Sequence, residues 1–193
     1  MARRARRPLP HSPLIRPARR DDSELIRRIY NEAVRTTTAT FDTEPRTASA
    51  QRAWLGEHDS RHPVFVAQFK NTVVGWASLS PWSDRNAYRN TAETSVYVAS
   101  RWRGRGVGRA LLSAILAEAR RSGLHTIIAR IAVGNPASRA LHLSAGFTPV
   151  GVMHEVGYKF DRLLDVELLE LRVSHASQGS TDIASEEPVQ PSS

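Results

Sequence analysis

Between positions 103 and 108 the chain reads Arg103-Gly104-Arg105-Gly106-Val107-Gly108, with no side chain at three of the six positions. Bare backbone of this kind lets a ligand come close to main-chain N–H groups. The segment follows an apolar run, Ser95-Val96-Tyr97-Val98, and leads directly into a helical pattern from Val107 to Arg121. Its donors therefore stand at a helix start, where four N–H groups lack intrahelical acceptors and the macrodipole is positive. The chemistry on offer is the binding of a phosphate or pyrophosphate. Two familiar forms of such a loop do not fit. A P-loop ends in Gly-Lys-Ser/Thr, whereas Gly108 is followed by Arg109-Ala110, which places no hydroxyl for Mg²⁺. The dinucleotide fingerprint needs a glycine where Arg109 stands.

The elements around this loop follow from apolar spacing and turn residues. Leu14 to Ala18 reads as a first strand, and Asp21 or Asp22 caps a helix with Leu25, Ile26, Ile29, Tyr30 and Val34 inward. A second helix is expected from about Thr47 to Glu57. Pro63 to Ala67 and Val73 to Leu79 form a strand pair around Lys70-Asn71. Pro81 to Asn90 reads as a loop before the central strand, and Gly123 closes the long helix that starts at Val107. Ile127 to Val133 is expected as a buried strand from its near-continuous apolar run. Asn135-Pro136 opens another helix, Asn as cap and Pro at the first helical position. Strands over Pro149–Tyr158 and Leu164–Leu171 complete the order βααβββαβαββ, an α+β arrangement around one mixed, mostly antiparallel sheet flanked by helices.

Composition narrows the function classes. The length of 193 residues suits one domain, expected over 14–173, with a basic disordered arm over 1–13 and a polar disordered tail over 174–193. The formal charge is +8, and the four arginines of the arm are nearly offset by the three acids of the tail, so the body itself is basic. That balance is compatible with nucleic acid, an anionic membrane or a polyanionic cofactor; the cofactor is the expectation here. With no cysteine there is no disulfide, thiolate zinc site or acyl-cysteine intermediate. No apolar run reaches 18 residues, and the arm lacks the apolar segment of a signal peptide, so a cytoplasmic location is expected.

The spacing Arg-x-x-Gly-x-Gly from Arg103 to Gly108 resembles the coenzyme A pyrophosphate loop of the GCN5-related N-acetyltransferases, and the resemblance covers roughly Leu14 to Val173. Phe41–Pro45, Pro81–Tyr88, Thr91–Val98 and Val156–Phe160, together with Asn135 and His142, narrow it to the branch that acetylates phosphinothricin, methionine sulfoximine and methionine sulfone. The resemblance implies the α+β fold of that superfamily, acetyl-CoA as co-substrate, no metal, a homodimer, and transfer to the α-amine of a small acidic amino-acid analogue by direct attack in a ternary complex. Two other functions stand beside it: acetylation of protein N-termini or lysines on the same fold, and a nucleic-acid-binding module using the arm and the arginine loop. The last lacks any helix-turn-helix, zinc or RNP pattern.

Amide formation needs a neutral amine, which one positioned carboxylate can provide. The resemblance puts Glu93 at the position of the family's proposed base. It also implies a central strand that is bulged and splays from its neighbour, so that backbone N–H groups near Val96 and Tyr97, with Val98 beside them, face the thioester carbonyl. His142 stands where most of the superfamily has a tyrosine, as proton donor to sulfur or as a second base. Asn135 and Ser138 are expected along the pantetheine arm. For the acceptor, the planar donors of Arg85 suit an anionic ligand, with Tyr88 beside it, Phe41 as an apolar wall and Lys159 as a reach into a neighbouring subunit or a plain exposed lysine. After Lys159-Phe160 the branch shows Gly-Arg-Trp-x-Asp, commonly with His before the Asp; here the residues are Asp161-Arg162-Leu163-Leu164-Asp165.

Overall fold

The structure is a computed structural model that describes residues 12–173. The expected arm and tail therefore lie outside the described residues, apart from Ser12 and Pro13. The elements come in the expected order: β1 (Leu14–Pro17), α1 (Ser23–Thr36), α2 (Ala48–Gly56), β2 (Val64–Phe69), β3 (Thr72–Pro81), β4 (Thr91–Val98), α3 (Val107–Arg121), β5 (Thr126–Ala132), α4 (Pro136–Ser144), β6 (Thr148–Lys159) and β7 (Arg162–Arg172). The seven strands form one sheet in the order β1-β2-β3-β4-β5-β7-β6. Every neighbouring pair is antiparallel except β4 and β5.

Each face of the sheet is closed by an amphipathic helix. α3 buries Leu111, Leu112 and Ile115 against Ala77, Ile127, Ala129 and Leu169, each large side chain stabilising the fold by about 1.5–3 kcal/mol. Gly75 sets how closely α3 lies on β3, since a Cβ there would sit 3.0 Å from the Tyr97 carbonyl oxygen and 3.1 Å from Leu111 Cδ1. On the other face α1 packs Ile26, Ile29, Tyr30 and Val34 against Val64, Val66 and Trp76. The helix ends carry the expected signals. Gly123, at φ +73°, follows α3, with Leu124 N donating to Ala119 O at 3.1 Å. Asn135 Oδ1 accepts from Ser138 N at 3.2 Å at the start of α4. The cap expected at Asp21 or Asp22 is different. The Asp22 carboxylate takes both Arg16 Nη groups (2.7 and 2.8 Å) and Arg19 N (2.7 Å), so a salt bridge to β1 replaces the side-chain cap of α1.

The edge hairpin is irregular. Glu155 has φ +55°, and the β6 register with β7 slips between Met153 and Gly157. Asp165 holds that bulge, accepting from Glu155 N at 2.8 Å and contacting His154 Nδ1 at 3.1 Å. The turn residues Phe160 and Asp161 have φ +53° and +56°, the double positive φ of a two-residue type I′ turn.

Candidate active site

The feature that creates a site is a parting of strands. β4 and β5 pair only over Thr91–Glu93 and Thr126–Ile128, although both continue beyond. Past Glu93 the main chain of β4 has lost its neighbour on that side. On its other side the register with β3 runs unbroken from Ala92 opposite Pro81 to Val98 opposite Gly75. The bulge expected in β4 is therefore absent, and the expected splaying from the neighbouring strand opens the gap by itself. Trp82 N donates to Thr91 O and Ala99 N donates to Val74 O, which fixes the alternation of the ladder. Residues 91, 93, 95, 97 and 99 turn their backbone groups toward β3, and Val96 and Val98 turn theirs into the gap. The expectation for Tyr97 is corrected accordingly: its N–H belongs to the β3 ladder. Its ring stacks on Trp76 (centroids 4.7 Å), edge-on to Tyr30, and its hydroxyl donates to Ala39 O at 3.2 Å.

The glycine loop closes one end of this gap. Gly104 and Gly106 adopt φ +72° and +81°, and Gly106 is the N-cap of α3 without a side chain to satisfy the helix. Among the described residues, the N–H groups of Gly104, Arg105, Gly106, Val107 and Gly108 have no backbone acceptor outside the helix pattern. Arg103 folds back, its Nε donating to Val98 O at 3.0 Å, and Arg105 lies over the Trp102 ring at 5.6 Å. Gly108 brings three elements together. A Cβ there would lie 3.3 Å from Leu141 of α4 and 3.8 Å from Val98 of β4. This arrangement fits a diphosphate: unpartnered N–H groups at a helix start, bare backbone, and arginines around them.

Charges gather on the face of the sheet toward α1. Glu93 accepts a two-point contact from Arg130 of β5, Nε to Oε1 at 2.8 Å and Nη2 to Oε2 at 2.5 Å. Those bonds push the Arg130 guanidinium above its ordinary pKa, so it stays charged. Its other contact is the half-buried Trp82 ring, 5.8 Å from Cζ. Arg85 and Tyr88 sit in the exposed loop that follows Trp82, with no side-chain bond among the described residues. The 39–42 segment is fastened to α1. Tyr30 OH donates to Asp42 Oδ2 at 2.6 Å, leaving its lone pairs to the Thr40 hydroxyl at 2.8 Å. Burial, then the Asp42 contact, push Tyr30 up to about 12. Phe41 lies on the backbone of Gly157, where even a Cβ would come within 2.1 Å of its ring.

Lys159 departs from both expectations. It is 4% exposed and donates to Thr40 O of its own chain at 2.8 Å, so it is neither a surface lysine nor a reach into a neighbour. Burial lowers its pKa, with the Asp42 charge opposing that. Leu163, at the branch's tryptophan position, is 54% exposed on the outer hairpin, and Leu164 is buried.

His142 is buried in α4, with its ring edge-on to Phe147 at 5.1 Å. Nδ1 contacts Ser138 O at 2.8 Å. A carbonyl only accepts, so Nδ1 carries the proton and Nε2 presents a lone pair, which is buried and unpartnered. Burial lowers the histidine pKa, against a smaller opposing effect of the Ser138 bond, which keeps the ring neutral. Asn135 and Ser138 are both half-buried, joined to each other by the helix cap. Among the described residues no group of three His, Asp or Glu side chains converges to hold a metal ion.

Residues 26–147 match the Acetyltransferase (GNAT) family. The chain belongs to that family. Among its relatives is an L-methionine sulfoximine/L-methionine sulfone acetyltransferase of Salmonella typhimurium, 41% identical, with 84% of this chain and 96% of the relative covered. A solved phosphinothricin acetyltransferase of Sinorhizobium meliloti in complex with AcCoA superposes with a TM-score of 0.82 at 30% identity, covering 90% of this chain and 95% of that one. A solved ribosomal-protein-alanine N-acetyltransferase of Brucella melitensis superposes with a TM-score of 0.81 at 40% identity, covering 82% of this chain and 99% of that one.

As a GNAT chain, it brings the glycine loop, Val96 and Val98 to one side of the gap, and Glu93 to the point where the gap begins. Sequence reasoning missed Arg130, Trp82 and the Tyr30–Thr40–Asp42 cluster. A signal existed for Arg130: it is the one charged residue in Ile127–Val133, and the structure shows that side of β5 open rather than buried.

Proposed function

We propose that this enzyme moves the acetyl group of acetyl-CoA to the α-amine of a small acidic amino acid or analogue of the phosphinothricin, methionine sulfoximine or methionine sulfone type. The observation that carries the reading is the parting of β4 from β5 at Glu93, which sets a carboxylate beside unpaired strand donors and a phosphate-binding helix start. When bound, acetyl-CoA supplies a thioester that acylates the amine and leaves as the thiol. The N–H groups of Arg105 to Gly108 hold its diphosphate, with Arg103 bracing the loop, and Asn135 and Ser138 flank its arm. The N–H groups of Val96 and Val98 receive charge developing on the thioester oxygen.

Glu93 takes the first proton from the acceptor ammonium, exposing the lone pair. A second N–H proton must leave as the C–N bond forms. His142 Nε2, neutral and bare, takes it and returns it to sulfur as the C–S bond breaks, so the sum is amide plus free thiol. This joins the two roles expected of His142 into one shuttle. Arg85 and Tyr88 donate to the acceptor's anionic oxygens, and Phe41 and Lys159 hold the floor beneath them.

We further propose a homodimer, a cytoplasmic location where acetyl-CoA is at hand, and no nucleic-acid or membrane partner, the basic balance serving the polyanionic co-substrate. For the dimer, edge strand β6 and its turn expose Val150, Val152, Val156, Tyr158 and Phe160, with Leu163 adjoining. Such an apolar edge is covered by a second copy. Val156→Lys should shift sedimentation from dimer to monomer, and a monomeric unmodified chain would remove the idea.

The peptide reading is favoured by the likeness to the ribosomal-protein-alanine N-acetyltransferase of Brucella melitensis. Thiol release from acetyl-CoA across methionine sulfone, methionine sulfoximine, phosphinothricin and Ala-initiated peptides separates the two. Turnover with peptides alone would overturn the amino-acid assignment.

A further inference from the structure

We infer that Arg130 is the receptor for the acceptor's α-carboxylate, and that this contact is what frees Glu93 to act as base. The inference rests on the acetyl-transfer reading above and adds a residue and a trigger to it.

Glu93 is bound at both oxygens by Arg130, at 2.8 and 2.5 Å. A carboxylate so held has its lone pairs directed at a guanidinium, which is a poor state for a proton acceptor. The holder is not itself fixed, because the Arg130 side chain is 53% exposed while that of Glu93 is 19% exposed. Among the described residues Arg130 makes no second ion pair, and its guanidinium also lies over the Trp82 face. By strand alternation Trp82, Glu93, Tyr97 and Arg130 lie on one face of the sheet. The pair stands where β4 and β5 separate, so a ligand entering the gap meets both charges together.

An α-amino acid carries its ammonium and carboxylate on one carbon. It therefore presents the same pair of opposite charges that Glu93 and Arg130 present to each other. Entry of the zwitterion exchanges one ion pair for two, carboxylate on Arg130 and ammonium on Glu93, with no change in net charge at the site. The planar guanidinium suits that carboxylate as well as it suits Glu93. The ammonium then gives its proton to the carboxylate oxygen that Arg130 has released. An amine without a neighbouring carboxylate, such as a peptide N-terminus, leaves Arg130 on Glu93 and the base engaged. Specificity for free amino acids follows from a contact that also switches on the base.

The test compares L-methionine sulfone with its α-carboxamide at saturating acetyl-CoA, in the unmodified enzyme, Arg130→Ala and Arg130→Lys. Arg130→Ala should lower kcat/KM about 10²-fold for the carboxylate acceptor, chiefly through KM, and make the carboxamide faster, since Glu93 is no longer held. Arg130→Lys should keep part of the carboxylate preference. Acetyl-CoA affinity by calorimetry, expected unchanged, shows that the variants are folded. Equal losses with both acceptors would mean that Arg130 only positions Glu93, and no loss with the carboxylate would mean that it touches nothing; either overturns the inference while acetyl transfer stands. An unmodified enzyme that acetylates neither compound removes the acceptor assignment and this inference together.

Discussion

The two sides of the gap are built from different materials. On the side proposed for the co-substrate the groups on offer are backbone: N–H donors of a glycine loop, a helix start and a strand that has lost its partner, all supported by the apolar packing of α3. On the side proposed for the acceptor they are side chains: Glu93 and Arg130 bound to each other, Arg85 and Tyr88 in the exposed loop, and the buried Lys159 held by Thr40 O of the 39–42 segment. Backbone donors treat every acyl-CoA alike, because they read only a diphosphate and a carbonyl. Side-chain charges read the acceptor and can be changed without disturbing the sheet. The difference implies that mutations on the two sides separate: one set moves the chemistry and acceptor choice, the other moves co-substrate affinity.

The sharpest break of that symmetry is at Glu93. Glu93→Gln keeps the shape and removes the base, so kcat should fall about 10²- to 10⁴-fold, while calorimetric affinity for acetyl-CoA stays as it was. A fall in affinity of the same size would show that Glu93 belongs to the co-substrate side. Gly106→Val probes the opposite side. Its φ of +81° is strained for a β-branched residue by about 1–3 kcal/mol, so the loop must shift. Acetyl-CoA binding should weaken by about tenfold to a hundredfold on that energy, and the preference between acceptors should not move. A changed acceptor preference would join the two sides into one unit.

The same contrast explains what could be read before the fold was known. Gly104, Gly106 and Gly108 announce themselves by local spacing, because a backbone site is written in consecutive residues. Asn135, Pro136 and Gly123 were legible for the same reason. The acceptor side depends on pairings across the chain. Arg130 meets Glu93 37 positions away, and Lys159 meets Thr40 119 positions away. No local pattern distinguishes a lysine in a hairpin that is exposed from one that turns inward onto a carbonyl. The expected bulge in β4 rests on the resemblance alone, and the unbroken β3–β4 register replaces it, which takes Tyr97 out of the expected set and leaves Val96 and Val98 facing the gap. Arg130 is hidden because a near-continuous apolar run implies two buried faces, and β5 has one.

A smaller effect tests the neutral ring that the mechanism asks of His142. Burial lowers the pKa of both His142 and His58 below the ordinary histidine value. Between that lowered value and about 6.5 the unfolded chain binds protons that the folded chain does not. Stability contributed by the neutral rings is therefore intact above about pH 6.5 and is lost as pH falls through that window, with a slope of at most about 1.4 kcal/mol per pH unit for each histidine. The carboxylates held down by their partners, Asp22 and Asp165 among them, add their own loss only below about pH 4. Denaturant midpoints measured from pH 7 to pH 5 should thus decline, and His142→Asn should make that decline shallower. In the same window kcat should hold in the unmodified enzyme, since Nε2 keeps its lone pair to a lower pH than a solvent-exposed imidazole would. If instead kcat drops at pH 6.5 with the ordinary histidine titration, the ring is not shielded, and the proton shuttle must be assigned to another group.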